Sequence, residues 1–582
     1  MTTGTARPVT SPSTMTFTDL GPETVRLEYL GDTVARFARE RPDAPALTVL
    51  DDRRIPGETR RHETVTTLTY GELDQRARAV AAELQEHCPA RSRVAILCPH
   101  DETYVVAFLG CLYAGMVAVP LFAPELFRSH TRLWSVVEDS TPVAALTTTR
   151  SVRAVRKALT ETGWGGGLVL QVDRIPAEGA DRWRRPATEP GQVAYLQYTS
   201  GSTGRPAGVR VTQANLAAAA YQMRTRFMPA KAAVSWVPFF HDMGLICAIA
   251  SPLSAGMHMV HLSPMSFLHR PYRWLKAVSD YRADWTVTPN FGLAHCVRRV
   301  SAEEIATLDL SGLNALAIGG EPVHARSVDA FLDVFERAGL SRTAPVPCYG
   351  LAEATLSVAM TPNGLGAVGD HFDRAALTGG EVRPAPEGPD TVPLVGSGTV
   401  LPGVSVQITD PDSGDEVHGR VGEIWTRGPN ATDGYWEQPE RTARVYGGGW
   451  LRTGDWGFVH HGALYVVGRL DDVIIVRGRN HYPEDIEATV ESVAPVSATA
   501  IGVESDQTQR LVVLMEADPP MLGLPEADAA ALCERVRQAV SRHHGLAVHE
   551  VVTVRRGALP RTTSGKIQRG ACRHQYSTAT LP

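Results

Sequence analysis

Lysine is scarce in this chain of 582 residues. Only Lys157, Lys231, Lys276 and Lys566 occur, so arginine supplies almost all of the 57 basic residues. Arginine does not replace lysine where a compact point charge is needed, so each of these lysines is a candidate functional residue. The net charge of −6 excludes a dedicated nucleic-acid binder, because such proteins carry a basic surplus.

Cysteine pairs at metal-binding or redox spacing are also missing. None of the eight cysteines belongs to a C-x-x-C pattern, and several stand in apolar surroundings, which is typical of reduced, buried thiols. The first residues contain no apolar signal core, so we expect a cytoplasmic protein. Residues 1–22 are rich in Thr, Ser and Pro and are predicted to form a flexible tail.

Long uncharged stretches are limited to two, and neither is typical of a membrane span. Residues 103–124 have sufficient length, but their helix-like sequence ends at Gly115 and a short buried-strand pattern follows. Residues 244–268 contain two prolines and two histidines. We therefore predict no membrane span.

The chain instead alternates between strand and helix patterns. Thr69 and Glu72 have the spacing of a capping box ahead of an amphipathic helix, and residues 93–99 predict a strand. Residues 315–320 form a β-branched and apolar run that ends in glycine and precedes another helical segment. This alternation predicts an α/β fold with mostly parallel sheets covered by helices.

The alternation of strand and helix patterns ends in the second half of the chain. Residues 356–395 are rich in Gly, Pro and Asp, so we expect loops or an insertion there. A hairpin pattern follows, and beyond residue 470 come short strands and one helix. We predict a large domain over residues 23–469 and a small α+β domain over residues 470–582.

Three polar segments are candidate nucleotide contacts. Residues 199–204, TSGSTG, lie between two strand patterns and offer backbone N–H groups and hydroxyls to phosphate oxygens, although a flexible turn explains them about as well. Asp455 could accept hydrogen bonds from ribose hydroxyls and Arg469 could donate them, or both could belong to ordinary turns. Lys566 follows a glycine in a polar loop, where a solvated surface lysine is the alternative.

Two further segments carry candidate catalytic side chains. In the segment from Tyr349 to Glu353, the carboxylate could bind a hard cation such as Mg²⁺ and the ring could stack on a base, or the segment could simply begin a helix. His241, within a WVPFFHDMG segment, could contact phosphate or serve as a mobile gate, and a core histidine is an equally good interpretation.

The serial order of these motifs resembles the adenylate-forming superfamily, from about residue 25 to 575. TSGSTG, PFFHDMG, GGEPV, YGLAE, TGD, GRLDD and a terminal SGK follow one another as in that superfamily. Finer features, including Ala207, where most CoA synthetases have lysine, and the 356–395 segment, are similar to its fatty acyl-AMP ligase branch. The resemblance implies a distorted β-barrel in the large domain, and an insertion at 356–395 that restrains domain motion and disfavours CoA.

The resemblance also implies roles for individual residues. The phosphates would be held by Thr199, Ser200, Gly201, Ser202, Thr203 and Gly204, and adenine and ribose by Gly320, Glu321, Pro322, Tyr349, Gly350, Asp455 and Arg469. Lys566, His241 and Glu353 would be catalytic, with Glu353 also holding Mg²⁺ and Asp471 at the hinge. The acyl pocket would be lined by Trp236, Phe240, Met243, Gly244, Phe291, Gly292 and Gly319, with Gly292 and Gly319 leaving room at its floor.

Two positions depart from the family pattern. Ala352 stands where many members have a threonine that touches the α-phosphate. Asp471 stands where many members of this branch have lysine, although aspartate is common at this hinge across the superfamily. The first departure means that the α-phosphate contact comes from elsewhere, and the second changes the details of domain rotation.

The function implied is ATP-dependent activation of a fatty acid to acyl-AMP, followed by acyl transfer to the phosphopantetheine thiol of a carrier protein. The carrier would be a separate holo acyl carrier protein or a carrier domain of a polyketide or peptide synthase. The alternatives are an acyl-CoA synthetase, an enzyme that adenylates aryl or other carboxylic acids, and a non-catalytic adenylate-binding scaffold. The absence of an acidic residue in the expected pocket weighs against amino-acid substrates.

Overall fold

The computed structural model describes residues 28–54, 61–124, 131–164, 166–199, 206–227, 230–476, 479–494, 496–504, 509–517, 525–562 and 566–581. The predicted tail, residues 1–22, lies outside them. In chain order the strands are β1 (Pro45–Arg54), β2 (Arg61–Thr69), β3 (Arg93–Ile96), β4 (Val117–Pro120), β5 (Ala144–Thr147), β6 (Leu168–Gln171), β7 (Val193–Thr199), β8 (Ala207–Thr212), β9 (Ala232–Ser235), β10 (His258–Leu262), β11 (Trp285–Thr288), β12 (Ala315–Ile318), β13 (Pro345–Gly350), β14 (Ser357–Met360), β15 (Gly369–Asp373), β16 (Thr391–Val395), β17 (Thr399–Val400), β18 (Ser405–Thr409), β19 (Gly422–Arg427), β20 (Tyr446–Gly447), β21 (Trp450–His460), β22 (Ala463–Arg469), β23 (Ile474–Val476), β24 (Arg479–His481), β25 (Ser497–Glu504), β26 (Gln509–Ala517) and β27 (Val548–Arg555).

The helices cover the large sheets and both faces of the small domain's sheet. They are α1 (Leu30–Glu40), α2 (Tyr70–His87), α3 (Glu102–Ala114), α4 (Thr131–Ser140), α5 (Val152–Glu161), α6 (Gln213–Phe227), α7 (Ser251–Ala255), α8 (Pro264–His269), α9 (Tyr272–Asp280), α10 (Asn290–Arg299), α11 (Ala302–Ile305), α12 (Ala325–Phe335), α13 (Arg374–Thr378), α14 (Pro439–Val445), α15 (Pro483–Val493), α16 (Glu526–His544) and α17 (Arg569–Ser577). Residues Gly244–Ala250 form a π-helix that runs directly into α7.

Two mostly parallel sheets form the body of the large domain. The first has the strand order β17-β14-β13-β12-β11-β9-β10-β1-β2 and the second β6-β5-β3-β4-β7-β8. The interior pairs are parallel, and antiparallel strands stand at the edges, such as β2 beside β1 and β8 beside β7. This arrangement confirms the α/β fold class predicted from the alternating pattern.

Local signals in the sequence correspond to elements of the structure. Thr69 accepts a hydrogen bond from the Glu72 backbone at 3.2 Å and Glu72 returns one at 2.9 Å, which forms the predicted capping box of α2. Helix α3 is buried on all sides and ends at Gly115, whose φ of 71° needs a glycine-like conformation. Strand β4 follows at once. Within the described residues, no helix combines the length and apolar character required to cross a membrane.

A third β unit of the large domain is antiparallel. Strands β18, β19, β21 and β20 follow one another in that order, and β22 also pairs with β21. Over the part of the chain that the structure describes, no pairing joins the two ends of this sheet, so the expected distorted barrel takes the form of an open sheet. This sheet carries Asp455 and Arg469 toward the site.

The 356–395 segment is a small structured unit. Strands β15 and β16 pair antiparallel over five residue pairs and enclose α13. Phe372 of β15 packs in one apolar group with Tyr482 of the C-terminal part of the chain, and Arg374 pairs with Asp485 at the start of α15. The segment therefore contacts the small domain directly.

The C-terminal part of the chain is a separate α+β unit. Strands β25, β26 and β27 form a sheet of its own, with β25 antiparallel and β27 parallel to β26. Helices α15 and α16 pack on it around Ile486, Val513 and Val536. The boundary at residue 470 stays a prediction, and it falls within the short turn Leu470–Asp472 that follows β22.

Buried histidine makes the large domain sensitive to acid. His261, on β10, is 1% exposed, and burial lowers its pKa from the ordinary 6.5 to about 3. The folded state favours the neutral ring. The contribution of His261 to the free energy of unfolding is therefore complete above pH 6.5 and is lost as the pH falls from 6.5 toward 3. The loss is at most about 1.4 kcal/mol for each pH unit.

We predict that replacing this ring reduces the acid sensitivity. In His261→Leu, the fall in melting temperature between pH 7.5 and pH 5.0, about 1 unit above and about 1.5 units below the free imidazole pKa, should be smaller than in the unmodified protein. His549→Leu is the matched control, because His549 is exposed on β27. An equal fall in His261→Leu and the unmodified protein would contradict the prediction. The measurement is differential scanning calorimetry at both pH values.

Candidate functional site

The predicted site residues gather at the carboxyl ends of the parallel strands. Open α/β sheets bind ligands at this edge, because strand ends and loops from several elements meet there. Strands β9, β11, β12 and β13 of the first sheet end at or shortly before Trp236, Phe291, Gly319 and Gly350, and β7 of the second sheet ends at Thr199. The topology therefore brings together residues that lie about 150 positions apart in the sequence.

A three-residue network links two sheets at this edge. The Tyr349 hydroxyl donates to Asp455 Oδ2 at 2.7 Å, and Arg469 Nε donates to Asp455 Oδ1 at 2.9 Å. Asp455 and Arg469 are paired residues of β21 and β22. The Asp455 carboxylate raises the pKa of Arg469 further above its usual range, so the guanidinium stays charged. The structure thus joins the predicted ring-stacking residue to the two predicted ribose contacts.

Lys566 reaches this network from the small domain. It lies in the loop before α17, where its carbonyl accepts from Thr562 N at 2.7 Å. Although solvent reaches Lys566, the protein atoms around it lower the pKa of its ammonium by desolvation, while Asp242 and Glu321 of the large domain oppose that effect. The ammonium therefore faces two carboxylates across the cleft between the domains.

Arg569 anchors the segment that carries Lys566. Its guanidinium contacts Glu487 at 2.7 Å, Glu484 at 2.9 Å and Asp472 at 3.2 Å. Two of these carboxylates belong to α15, and Asp472 belongs to the turn that connects the domains. Asp471, the predicted hinge residue, lies beside it with an exposed side chain. Its carbonyl accepts from Arg573 at 3.3 Å.

His241 and Asp242 form a close pair opposite Lys566. His241 Nδ1 lies 2.6 Å from Asp242 Oδ1, and the Met243 backbone N–H donates to the same oxygen at 2.6 Å. Burial opposes ionisation of Asp242, but the charges of His241 and Lys566 lower its pKa below the usual range. Asp242 is therefore an anion that the sequence analysis did not identify as a site residue.

Glu353 stands in a short turn rather than at the start of a long helix. The turn Ala352–Ala354 follows β13 directly, and Glu353 Oε1 accepts a hydrogen bond from the Tyr435 hydroxyl at 2.7 Å. Thr355, next along the chain, is fully buried with a φ of 61°, so the turn is conformationally strained. The structure thus holds this carboxylate in one place at considerable conformational cost.

The Gly320–Pro322 segment follows β12. Glu321 accepts a hydrogen bond from the Phe291 backbone at 2.6 Å, and burial raises the pKa of its carboxyl. The Glu321 side chain is thus tied to the start of α10, while Pro322 is exposed.

Gly350 lies so close to its neighbours that an added Cβ would meet the Leu356 carbonyl oxygen at 1.7 Å.

Aromatic side chains line the region expected to hold the acyl group. Trp236 stacks on Phe267 with ring centroids 3.8 Å apart and meets Phe291 edge-on at 5.7 Å. Phe240 instead contacts Phe122 of the second sheet at 5.4 Å. Met243 is buried beside Gly320. The side chains of this region are therefore mostly apolar, and their role in an acyl pocket stays a prediction.

The expectation that glycines leave an open floor needs a correction. An added Cβ at Gly292 would lie 2.1 Å from Thr288 Oγ1, and one at Gly319 would lie 2.6 Å from Cys348 Sγ. At Gly244 the Pro238 carbonyl oxygen is 2.0 Å away. These glycines therefore permit close packing between neighbouring segments, and the space beside Gly292 and Gly319 is already filled by side chains.

Part of the predicted phosphate loop lies outside the described residues, namely Ser200, Gly201, Ser202, Thr203 and Gly204. Thr199, however, ends β7 opposite Ala207, the first residue of β8. The two strands therefore bring the ends of the loop together at the carboxyl edge.

The side chains at this edge fit a nucleotide and a divalent cation. Within the described residues, no group of three His, Cys, Asp or Glu side chains could hold a metal ion on its own. Mg²⁺ in nucleotide sites is commonly bound by one or two carboxylates together with substrate phosphates. Glu353 supplies such a hard oxygen donor, and Asp455 with Arg469 supplies partners for hydroxyl groups.

Relatives of known annotation and structure cover almost the whole chain. The long-chain-fatty-acid–AMP ligase FadD26 of Mycobacterium tuberculosis is 38% identical, over 93% of this chain and 95% of its own length. The crystal structure of a fatty acid AMP ligase from Legionella pneumophila superposes with a TM-score of 0.73 at 34% identity, over 97% of this chain and 98% of that one. A fatty acyl-adenylate ligase from L. pneumophila, in complex with acyl adenylate and pyrophosphate, gives 0.72 at 33% identity, over 94% and 96%.

Two family profiles match successive parts of the chain. The AMP-binding enzyme profile matches residues 34–436, which is more than half of the chain. The profile of the AMP domain of Disco-interacting protein 2-like proteins matches residues 471–582. Together with the relatives and with the arrangement of Asp455, Arg469 and Lys566, these matches show that the chain is a member of the AMP-binding enzyme family of the adenylate-forming superfamily.

Proposed function

We propose that this protein activates a fatty acid with ATP, releases pyrophosphate and forms an acyl-AMP, and then transfers the acyl group to the thiol of a separate carrier protein. The observation that carries the proposal is the position of Lys566. This lone ammonium of the small domain faces Asp242 and Glu321 at the mouth of an apolar, aromatic region. FadD26 and the two ligase structures from L. pneumophila support the reaction class.

In the first step, each of the described site residues has its own role. Asp455 and Arg469 bind the ribose hydroxyls, and the Tyr349 ring stacks on the base while its hydroxyl stays on Asp455. Lys566 lies between the acyl carboxylate and the α-phosphate, where two negative groups approach and repel each other. Its ammonium reduces that repulsion and orients the attacking oxygen. Asp242 holds the ammonium in the cleft before substrates arrive.

Glu353 would hold a magnesium ion, which would supply positive charge beside the phosphates. The chain's own contribution is to hold the Glu353 carboxylate at the end of β13, beside the strands that carry the phosphate loop. His241, paired with Asp242, lies on the acyl side of the cleft and is positioned to contact the phosphate or carboxylate oxygens.

The acyl chain is assigned to the apolar region of Trp236, Met243 and Phe291. Each methylene buried there contributes about 0.8 kcal/mol to binding. Glu321 lies beside this region, but the Phe291 backbone N–H and the charge of Lys566 already engage its carboxylate. A fatty acid therefore suits this region better than an amino acid.

The contacts of the 356–395 segment bear on the choice of acyl acceptor. The Arg374–Asp485 pair and the packing of Phe372 with Tyr482 join this segment to the small domain. A rotation of the small domain for the second step must break these contacts, so they oppose free rotation. This restraint supports a carrier protein over free CoA as the acceptor.

A cytoplasmic location is part of the proposal, and the eight unpaired cysteines support it.

We predict that only fatty acids drive rapid reaction. A panel of fatty, aryl and amino acids, mixed with ATP and Mg²⁺, should give pyrophosphate release with the fatty acids alone. Hydroxylamine trapping should detect the acyl-AMP. The acyl group should then move to a holo carrier protein faster than to CoA. Faster transfer to CoA would favour an acyl-CoA synthetase, and release with aryl acids alone would favour the aryl-acid alternative.

Removing the Lys566 ammonium tests the assignment of the first step. In Lys566→Ala we expect pyrophosphate release to fall about 100-fold or more, because charge in the transition state loses its stabilising partner. Transfer of the acyl group from preformed acyl-AMP should change little. Lys157→Ala, at an exposed position on α5, is the matched control. A wild-type rate of pyrophosphate release in Lys566→Ala would refute the role.

A further inference from the structure

Residues 429–436 connect two parts of the site that are distant in the sequence, and we call this segment the bracket. On one side it pairs with β8, the strand that leaves the glycine-rich loop. The Arg210 N–H donates to the Gly434 carbonyl at 3.0 Å and the Trp436 N–H donates to the Gly208 carbonyl at 2.7 Å. Asn215 of α6 also donates to two carbonyls of the bracket, at 2.9 Å each.

On its other side the bracket holds the turn that carries Glu353. The Thr432 N–H and hydroxyl both donate to the Glu353 carbonyl, at 2.9 and 3.0 Å. Buried Asn430 donates to the carbonyls of Ala354 and Ser357 at 3.1 and 2.9 Å. The Thr355 hydroxyl returns a hydrogen bond to the Asn430 carbonyl at 2.6 Å.

One bond of the bracket reaches the Glu353 carboxylate itself. The Tyr435 hydroxyl donates to Glu353 Oε1 at 2.7 Å. The ring is 5% exposed, the Arg441 guanidinium lies 4.5 Å from its centroid, and the Tyr435 N–H donates to Thr442 Oγ1 at 3.0 Å. The ring is therefore held from several sides, and its hydroxyl fixes the rotation of the carboxylate.

We propose that the bracket sets the position of the Glu353 carboxylate relative to β8, with Tyr435 as the positioning residue for the divalent cation. The argument rests on the proposed function, because that proposal assigns the cation to Glu353. With Oε1 engaged by the phenol, the carboxylate presents one defined orientation to a cation shared with the phosphates.

The test removes the Tyr435 hydroxyl and retains the ring. In Tyr435→Phe, Mn²⁺ binding in the presence of a non-hydrolysable ATP analogue, measured by electron paramagnetic resonance, should weaken about 10-fold, as is common for residues that orient metal ligands. The Mg²⁺ concentration for half-maximal pyrophosphate release should rise by a similar factor. The KM for the fatty acid and the melting temperature should stay unchanged.

Tyr465→Phe is the matched control, because its hydroxyl also donates to a carboxylate, that of Asp370, away from the site. It should bind Mn²⁺ normally. The double variant Glu353→Gln/Tyr435→Phe should bind no more weakly than Glu353→Gln alone, since Tyr435 acts through Glu353. Wild-type Mn²⁺ binding by Tyr435→Phe, or additive losses in the double variant, would overturn the bracket proposal while leaving the proposed reaction intact. Wild-type binding by Glu353→Gln would instead overturn both the cation assignment and the bracket.

Discussion

The ion pair between Asp455 and Arg469 is the interaction on which the rest of the site depends. It joins adjacent strands of the antiparallel sheet, and through the Tyr349 hydroxyl it fixes that sheet against the end of β13 in the large parallel sheet. Arg469 is also the last residue of β22, directly before the turn that leads to the small domain. The pair therefore stands where three structural units meet, which is the position that the proposed function assigns to the nucleotide.

The fold was largely predictable because its signals are local. The capping box of α2, the termination of α3 at Gly115 and the glycine-ended strand pattern before α12 each involve residues a few positions apart. Sequence patterns of this kind report the period and ends of an element. The serial motifs also singled out Asp455, in the middle of β21, Arg469, at the end of β22, and Glu353, in the turn after β13. The openness of the antiparallel sheet was not predictable, since strand pairing depends on distant partners.

The parts of the site that escaped prediction rest on contacts across long separations. Asn430, which from the sequence matches only a glycosylation pattern, is buried and bonds to Ala354, 76 residues away. Asp242 becomes a site residue only when the small domain brings Lys566 opposite it. The expectation that Gly292 leaves open space failed for the same reason, because the sequence does not show which side chains lie beside it. A glycine in a pocket segment indicates either open space or close packing, and the Thr288 hydroxyl that fills the space is visible only in three dimensions.

The scarcity of lysine gains a physical meaning from the structure. Lys157 and Lys231 are exposed, and Lys276 pairs with Asp280 one helical turn away. Lys566 alone among the lysines is surrounded by carboxylates from another domain. A guanidinium there would form planar, bidentate pairs with Asp242 or Glu321 and would bind them in a fixed geometry. An ammonium on a flexible stem exchanges one oxygen partner for another at little cost, which is what a charge shared first with protein carboxylates and then with substrate oxygens requires.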